Sequence, residues 1–252
     1  MSSPFRLDDE VVLLTGSTGG LGRAMAHALA GAGARVALNH LDDTGRAEAL
    51  AAELTDRHGT EVVVAGGDVS RPDRIDAVLD RTEERLGRCT VLVNNAGTME
   101  AAPFLEMTRE HWDHTLLHDL TAPMLVAQRF ARRARGHGRI VNVSSQLAFK
   151  GAREFASYTA AKAGVVGLTR ALARELGPGV RVNAIAPGPV LTPLISDLAE
   201  DPAWVEERTA GAVTGTIATP EELAPVVVFL AAAASELMHG QVLHVNGGGV
   251  MM

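Results

Sequence analysis

One cysteine, Cys89, occurs in 252 residues, so no internal disulfide can form and the chain suits a reducing compartment. Its place beside the apolar run Val91–Val93 predicts a buried, inert thiol. Aromatic residues make up only 4%, which argues against an aromatic-rich β-sandwich and for close helix–sheet packing. The longest apolar run, Val226 to Ala234, falls well short of the ~20 residues that a membrane helix needs. The first residues, with Arg6 followed by Asp8, Asp9 and Glu10, do not read as a signal peptide. Basic excess is missing too: the net charge of −7 leaves no footprint for nucleic acid or an anionic membrane. A local run of Arg129, Arg132, Arg133, Arg135 and Arg139 has no interleaved aromatic platform and reads as a solvated helix end and turn. A cytoplasmic protein acting on a small molecule is the simplest expectation.

What is present is a balance of 46% hydrophobic and 21% charged residues, enough for one sizeable core. No linker, repeat or low-complexity tract divides the chain, so one unit over 1–252 is expected. Short apolar runs predict strands at Val11–Thr15, Arg35–Asn39, Glu61–Ala65, Thr90–Asn94, Arg139–Ser144, Val180–Ile185 and Gln241–Val245. Most are apolar on both faces, as in a sheet covered on two sides. Helical patterns lie between them, at Gly22–Ala30, Asp43–Arg57, Arg71–Leu86, Trp112–Arg135 and Phe155–Leu176. This alternation argues for parallel βαβ units. An irregular stretch from Pro187 to about Ala218 predicts a partly ordered lid. The segment Thr219-Pro220-Glu221-Glu222 has a capping box with proline at the first helical position, so a helix starts there.

The first strand runs into Thr15-Gly16-Ser17-Thr18-Gly19-Gly20-Leu21-Gly22, and a helix follows. A glycine-rich turn at such a junction lets the backbone approach a pyrophosphate that meets the helix N-terminus. The next strand ends in Leu38-Asn39-His40-Leu41-Asp42-Asp43. A carboxylate there would bind ribose hydroxyls and a guanidinium a 2′-phosphate. Asn39 and His40 are neither, and Asp42 and Asp43 either face the ligand or belong to the next helix. NAD and NADP both remain open.

Tyr158 and Lys162 are four apart in a helical pattern and share one face. A free tyrosine has a pKa of ~10, and a neighbouring ammonium lowers it, so the pair can run acid–base chemistry on a carbonyl or alcohol oxygen. Such a pair alone also describes an ordinary helix surface. Ala156, Ser157, Ala160, Ala161, Ala163 and Gly164 around it admit a close neighbour, either a cofactor or another subunit. An earlier strand ends in Val143-Ser144-Ser145, where a serine hydrogen-bonds a reacting oxygen or merely caps the strand.

In this order and spacing, the motifs Thr15-Gly16-xxx-Gly20-x-Gly22, Asp68-Val69, Asn94-Asn95-Ala96-Gly97, Ser145, Tyr158-xxx-Lys162, Pro187-Gly188 and Gly240-Gln241-Val242…Gly247-Gly248 cover nearly the whole chain. The sequence resembles the compact, single-domain branch of the short-chain dehydrogenase/reductase family. The resemblance implies a three-layer α/β Rossmann-type fold with a mainly parallel, seven-stranded sheet. It implies an NAD(P)-dependent oxidoreductase, 3-oxoacyl-reductase-like or an alcohol dehydrogenase. Gly16, Thr18, Gly20, Leu21 and Gly22 would hold the pyrophosphate, Asn39 and His40 would border the ribose, and Asp68 with Val69 would flank the adenine. Asn95, Ala96 and Gly97 would brace the sheet beside the adenosine ribose. Ser145 would orient the substrate oxygen, Tyr158 would transfer the proton, and Lys162 would lower its pKa and bind the nicotinamide ribose. Pro187, Gly188, Val190 and Thr192 would hold the carboxamide, with the lid at about 190–218. The resemblance also implies a homo-oligomer, tetramer or dimer.

Two departures stand out. Where the family places an asparagine, this chain reads Leu117-His118-Asp119-Leu120-Thr121. A carboxylate keeps the acceptors and loses the amide donor. Asp119 is expected to organise the proton relay by pairing with Lys162 through water. The alternative is a catalytically impaired cofactor-binding regulatory or scaffold protein of the same fold. His111, His114 and His118 also share a helical face, but without cysteine or a Glu-x-x-His pattern they read as a polar stripe rather than a metal site. Asn246, where the family often has Asp, is expected to alter local hydrogen bonding only.

Overall fold

The structure is a computed structural model that describes residues 3–192, 195 and 198–252. Pro193 and Leu194 of the expected lid lie outside the described residues. The apolar runs form strands β1 (Val11–Leu14), β2 (Arg35–Leu38), β3 (Val62–Val64), β4 (Val91–Asn94), β5 (Gly138–Val143), β6 (Val180–Pro187) and β7 (Val242–Val245). They make one sheet in the order β3-β2-β1-β4-β5-β6-β7, with every pairing parallel. Most observed strand limits fall within a residue or two of the expected ones. β6 runs two residues further and ends at Pro187.

Helices cover both faces because side chains alternate along each strand. Val12 and Leu14 join a core with Met25 and Leu29 of α1 (Gly20–Gly31), Leu50 and Leu54 of α2 (Thr44–His58), and Val227 and Leu230 of α9 (Pro220–Ala231). Val11 and Leu13 face the other way, against Ile75 and Leu79 of α3 (Pro72–Leu86), Phe130 of α5 (Ala122–Arg133) and Ala173 of α7 (Ala156–Leu176). The fold is therefore three-layered. Cys89 is buried in the second core, and burial pushes its thiol up to about 12.

The expected helix over Trp112–Arg135 is interrupted. α4 (Arg109–Leu116) starts at the Thr108 cap, one π turn spans Leu117–Thr121, and α5 follows. Pro123 accounts for the break: it has no N–H to donate one turn back, and its ring clashes with the preceding turn. A π turn absorbs that mismatch. Gly164 of α7 lets it dock, since a Cβ there would meet Leu120 Cδ2 at 2.7 Å.

After the short α6 (Leu147–Lys150) and α7, the segment beyond β6 leaves through the parallel bridge Val190↔Ala218. Leu191 N donates to Ala218 O at 2.8 Å, and Ala218 N to Pro189 O at 3.2 Å. Between these stems lies α8 (Pro202–Thr209). The capping box forms as expected: Glu222 N donates to Thr219 Oγ1, and Thr219 N to Glu222 Oε2 at 2.8 Å.

Candidate active site

The C-terminal ends of parallel strands face the crevice of an open α/β sheet, and the singled-out residues gather there. Gly16 adopts φ +62°, and a Cβ on it would lie 2.8 Å from Ala96 Cα. A Cβ on Gly22 would collide with the Gly16 carbonyl oxygen. The loop is held from β4: Asn95 Nδ2 donates to the carbonyls of Thr15 and Gly16, both at 3.0 Å, while Thr15 Oγ1 accepts from the amides of Asn95 and Ala96. α1 begins without a side-chain cap, so its first N–H groups are open to an anion. Thr18, Gly20 and Leu21 are half-buried on this turn. These residues fit a dinucleotide pyrophosphate.

At the end of β2, Asn39 is buried and its Nδ2 donates to Ala65 O and Gly67 O, both at 3.0 Å. Ser17 Oγ donates to Asn39 O at 2.9 Å. His40 is buried, and its Nδ1 has no partner among the described residues. Asp43 caps α2 by accepting from Arg46 N at 3.4 Å, which settles its place as a helix residue, while Leu41 and Asp42 are exposed. Asp68 accepts from Ser70 N at 2.9 Å and Ser70 Oγ at 2.6 Å. Burial opposes its ionisation, but the Ser70 bonds outweigh it and hold the carboxyl below its ordinary range. Val69 packs into the second core.

On the other side of the crevice, Ser145 follows β5, and its Oγ accepts from Leu147 N at 3.1 Å. That leaves its O–H free to donate. Phe155 precedes the first turn of α7, which places Tyr158 half-buried and Lys162 buried one turn later. Lys162 Nζ lies 5.5 Å from the Tyr158 ring centroid and donates to Val143 O at 3.2 Å. Asp119 is fully buried, and its Oδ1 lies 3.0 Å from Lys162 Nζ. The expected water between them is therefore not needed: the pair is in direct contact. Gly97 makes this possible, because a Cβ there would collide with Asp119 Oδ1. Burial would lower the Lys162 pKa, but the charges of Asp119 and Tyr158 more than offset it, and the net direction is upward.

Pro187 O accepts from Gln146 N at 2.8 Å, and Gly188 N donates to Val245 O at 3.0 Å. Close to them, Val190 forms the stem bridge and Thr192 O accepts from Ile195 N. Asn246 closes a local turn: its Oδ1 accepts from Gly248 N, and its Nδ2 donates to Val250 O. His111 Nε2 lies 3.2 Å from Ser157 Oγ. Among the described residues no cluster of metal-ligating side chains occurs, and no helix is long and apolar enough to cross a membrane. Sequence reasoning missed Thr98, whose amide and hydroxyl both donate to Asp119 Oδ2. Its only advance signal was adjacency to Gly97.

A glycine turn with an uncapped helix N-terminus thus lies on one side of the crevice, and Ser145, Tyr158 and Lys162 lie on the other. A family model described as enoyl-(acyl carrier protein) reductase matches residues 16–249. The chain belongs to the short-chain dehydrogenase/reductase family. It is 39% identical over 251 residues to D-threitol dehydrogenase of Mycolicibacterium smegmatis, covering 97% of this chain and 94% of that protein. It is 35% identical to a 3-oxoacyl-(acyl-carrier-protein) reductase of Aquifex aeolicus, covering 96% and 98%. A gluconate 5-dehydrogenase from Burkholderia cenocepacia, solved with NADP and tartrate, superposes with TM-score 0.92 at 33% identity over 97% of this chain and 96% of that one. The chain is thus an enzyme that moves a hydride between a nicotinamide and a carbonyl or secondary alcohol, with NAD or NADP as cofactor. Nothing in these relatives supports the impaired alternative.

Proposed function

We propose that Tyr158 is the proton donor and acceptor of this reaction. The observation that carries the reading is the buried Lys162 ammonium, held between Asp119 and the Val143 carbonyl and 5.5 Å from the Tyr158 ring. A fixed cation beside a phenol favours the tyrosinate form. The nicotinamide, when bound, supplies or accepts the hydride. On reduction Tyr158 gives its proton to the carbonyl oxygen, and on oxidation it removes the hydroxyl proton. Ser145 donates a hydrogen bond to the same oxygen, consistent with its free O–H. Asp119 keeps Lys162 charged and in place.

The cofactor roles follow the same reading. Gly16, Thr18, Gly20, Leu21 and Gly22 hold the pyrophosphate, while Asn39, His40, Asp68, Val69, Asn95, Ala96 and Gly97 border the adenosine. Pro187, Gly188, Val190 and Thr192 hold the carboxamide, Lys162 the ribose, and residues of 190–218 form a lid on a single unit of 1–252. The substrate is a small carbonyl compound or secondary alcohol, with reduction as the favoured direction. The working form is a cytoplasmic homo-oligomer, tetramer or dimer.

Assays of cofactor oxidation across a panel of hydroxyketones, polyols and 3-oxoacyl thioesters test the substrate class. In Tyr158→Phe, turnover should fall about 10²–10⁴-fold, with cofactor binding, read by nicotinamide fluorescence, preserved. Full turnover in that variant overturns the mechanism.

A further inference from the structure

Asp119 carries a division of labour between its two oxygens. Oδ2 receives two donors from one residue, Thr98 N at 3.1 Å and Thr98 Oγ1 at 2.9 Å. Among the described residues, Oδ1 accepts no hydrogen bond and meets Lys162 Nζ as an ion pair at 3.0 Å. The lysine ammonium has three N–H donors, and its inner side is engaged by Val143 O and Asp119 Oδ1. What remains is the side toward Tyr158.

We propose that Thr98 is a positioning residue for the reaction: by holding Oδ2, it keeps the Asp119 carboxylate to a one-oxygen contact with Lys162 and so leaves the ammonium available to Tyr158. The proposal rests on the reading of Tyr158 as the acid–base group. A buried carboxylate oxygen that keeps the Thr98 amide but loses the hydroxyl is under-satisfied and is drawn toward the nearest cation, because a lost hydrogen bond to a buried charge is costly. Here that cation is Lys162. The ammonium would then be drawn from the phenol toward Asp119. Around Lys162, Asp119 from the π turn and Tyr158 from α7 are the charged or titratable side chains that act on it. The segment after β4 presents Gly97 and Thr98, and β5 presents the Val143 carbonyl; none of these titrates.

The chain offers a direct readout, because Tyr158 is its single tyrosine. The ultraviolet absorbance of tyrosinate therefore follows this one group in the unliganded enzyme, without reference to turnover. In Thr98→Val the midpoint of that titration should move about one unit to higher pH, the size expected for losing a hydrogen bond to a charged group. Turnover at neutral pH should drop about tenfold with little change in KM. Thr98→Ser, which keeps the hydroxyl, should restore both. Should Thr98→Val fail to fold, Thr98→Ala carries the same expectation. A wild-type midpoint in the valine or alanine variant, or failure of serine to restore it, overturns the proposal. Retained activity in Tyr158→Phe would instead overturn the reading beneath it, so the two failures are distinguishable.

Discussion

The glycine loop after β1 and the Asp119–Lys162 pair close on neighbouring strand ends, yet they are built from different chemistry. The loop is backbone and neutral polar groups: Asn95 and Thr15 bind main-chain atoms, and Asn39 ties β2 to the carbonyls after β3. The catalytic side buries a full carboxylate against a full ammonium, with no side chain at Gly97 to part them. Neutral hydrogen bonds exchange for water at small net cost, about 0.5–1.5 kcal/mol each. A buried ion pair is different in kind. It adds little over an apolar substitute, but losing one partner strands the other. Damage on the catalytic side should therefore be abrupt, and on the nucleotide side graded.

The sharpest way to break this contrast is Asp119→Leu, which leaves Lys162 buried without its anion. It should cost about 3–5 kcal/mol, read as a lowered denaturation midpoint with an unchanged slope. A loss no larger than that of a surface substitution would show that the pair is not a buried-charge unit. Gly97→Ala comes next: its Cβ collides with Asp119 Oδ1 and reaches 3.4 Å from Lys162 Nζ. A loss of about 2–3 kcal/mol is expected, together with a drop in turnover. Gly22→Ala serves as its counterpart and should act on cofactor affinity, because its Cβ meets the loop carbonyl instead. On the neutral side, Asn39→Ala leaves the Ala65 and Gly67 carbonyls without their side-chain donor and should cost about 1–2 kcal/mol, seen in thermal melts.

The smallest effect concerns His27 on α1, whose Nε2 lies 3.2 Å from Glu53 Oε1 and whose Nδ1 lies 3.4 Å from His58 Nε2. Burial chiefly lowers its pKa, with Arg23, His58 and Arg57 adding to it against Glu53. A lowered histidine stabilises the fold above its unfolded pKa of ~6.5, and that contribution is lost as pH falls through the folded value. Melting temperatures should thus decline slightly below that pH, and less so in His27→Gln. An equal decline in both would remove His27 from the account.

Much of the fold was legible because the signals were local. Runs such as Val91–Asn94 are buried on both faces and read directly as central parallel strands. Thr219 and Glu222 announce their helix within four residues. The π turn was not legible, because the apolar pattern of Trp112–Arg135 runs on through it and Pro123 alone hints at a break. The direct Asp119–Lys162 contact was further out of reach. It depends on a missing Cβ at Gly97 and on donors from Thr98, residues of another segment that only the folded sheet brings alongside. Local pattern reveals which groups exist at the crevice. It does not reveal how closely two distant segments approach.

That distance along the chain has a consequence for synthesis. Asn95 and Ala96 complete the turn around Thr15 and Gly16 across about eighty residues, and β1 pairs with β4 as well as β2. A ribosome that has released only the first three strands has delivered the glycine loop without its brace. Contacts this remote in sequence form late and slowly. The emerging chain should thus acquire a nucleotide-competent turn only once β4 has left the exit tunnel, so any early ligand would find a half-made cradle.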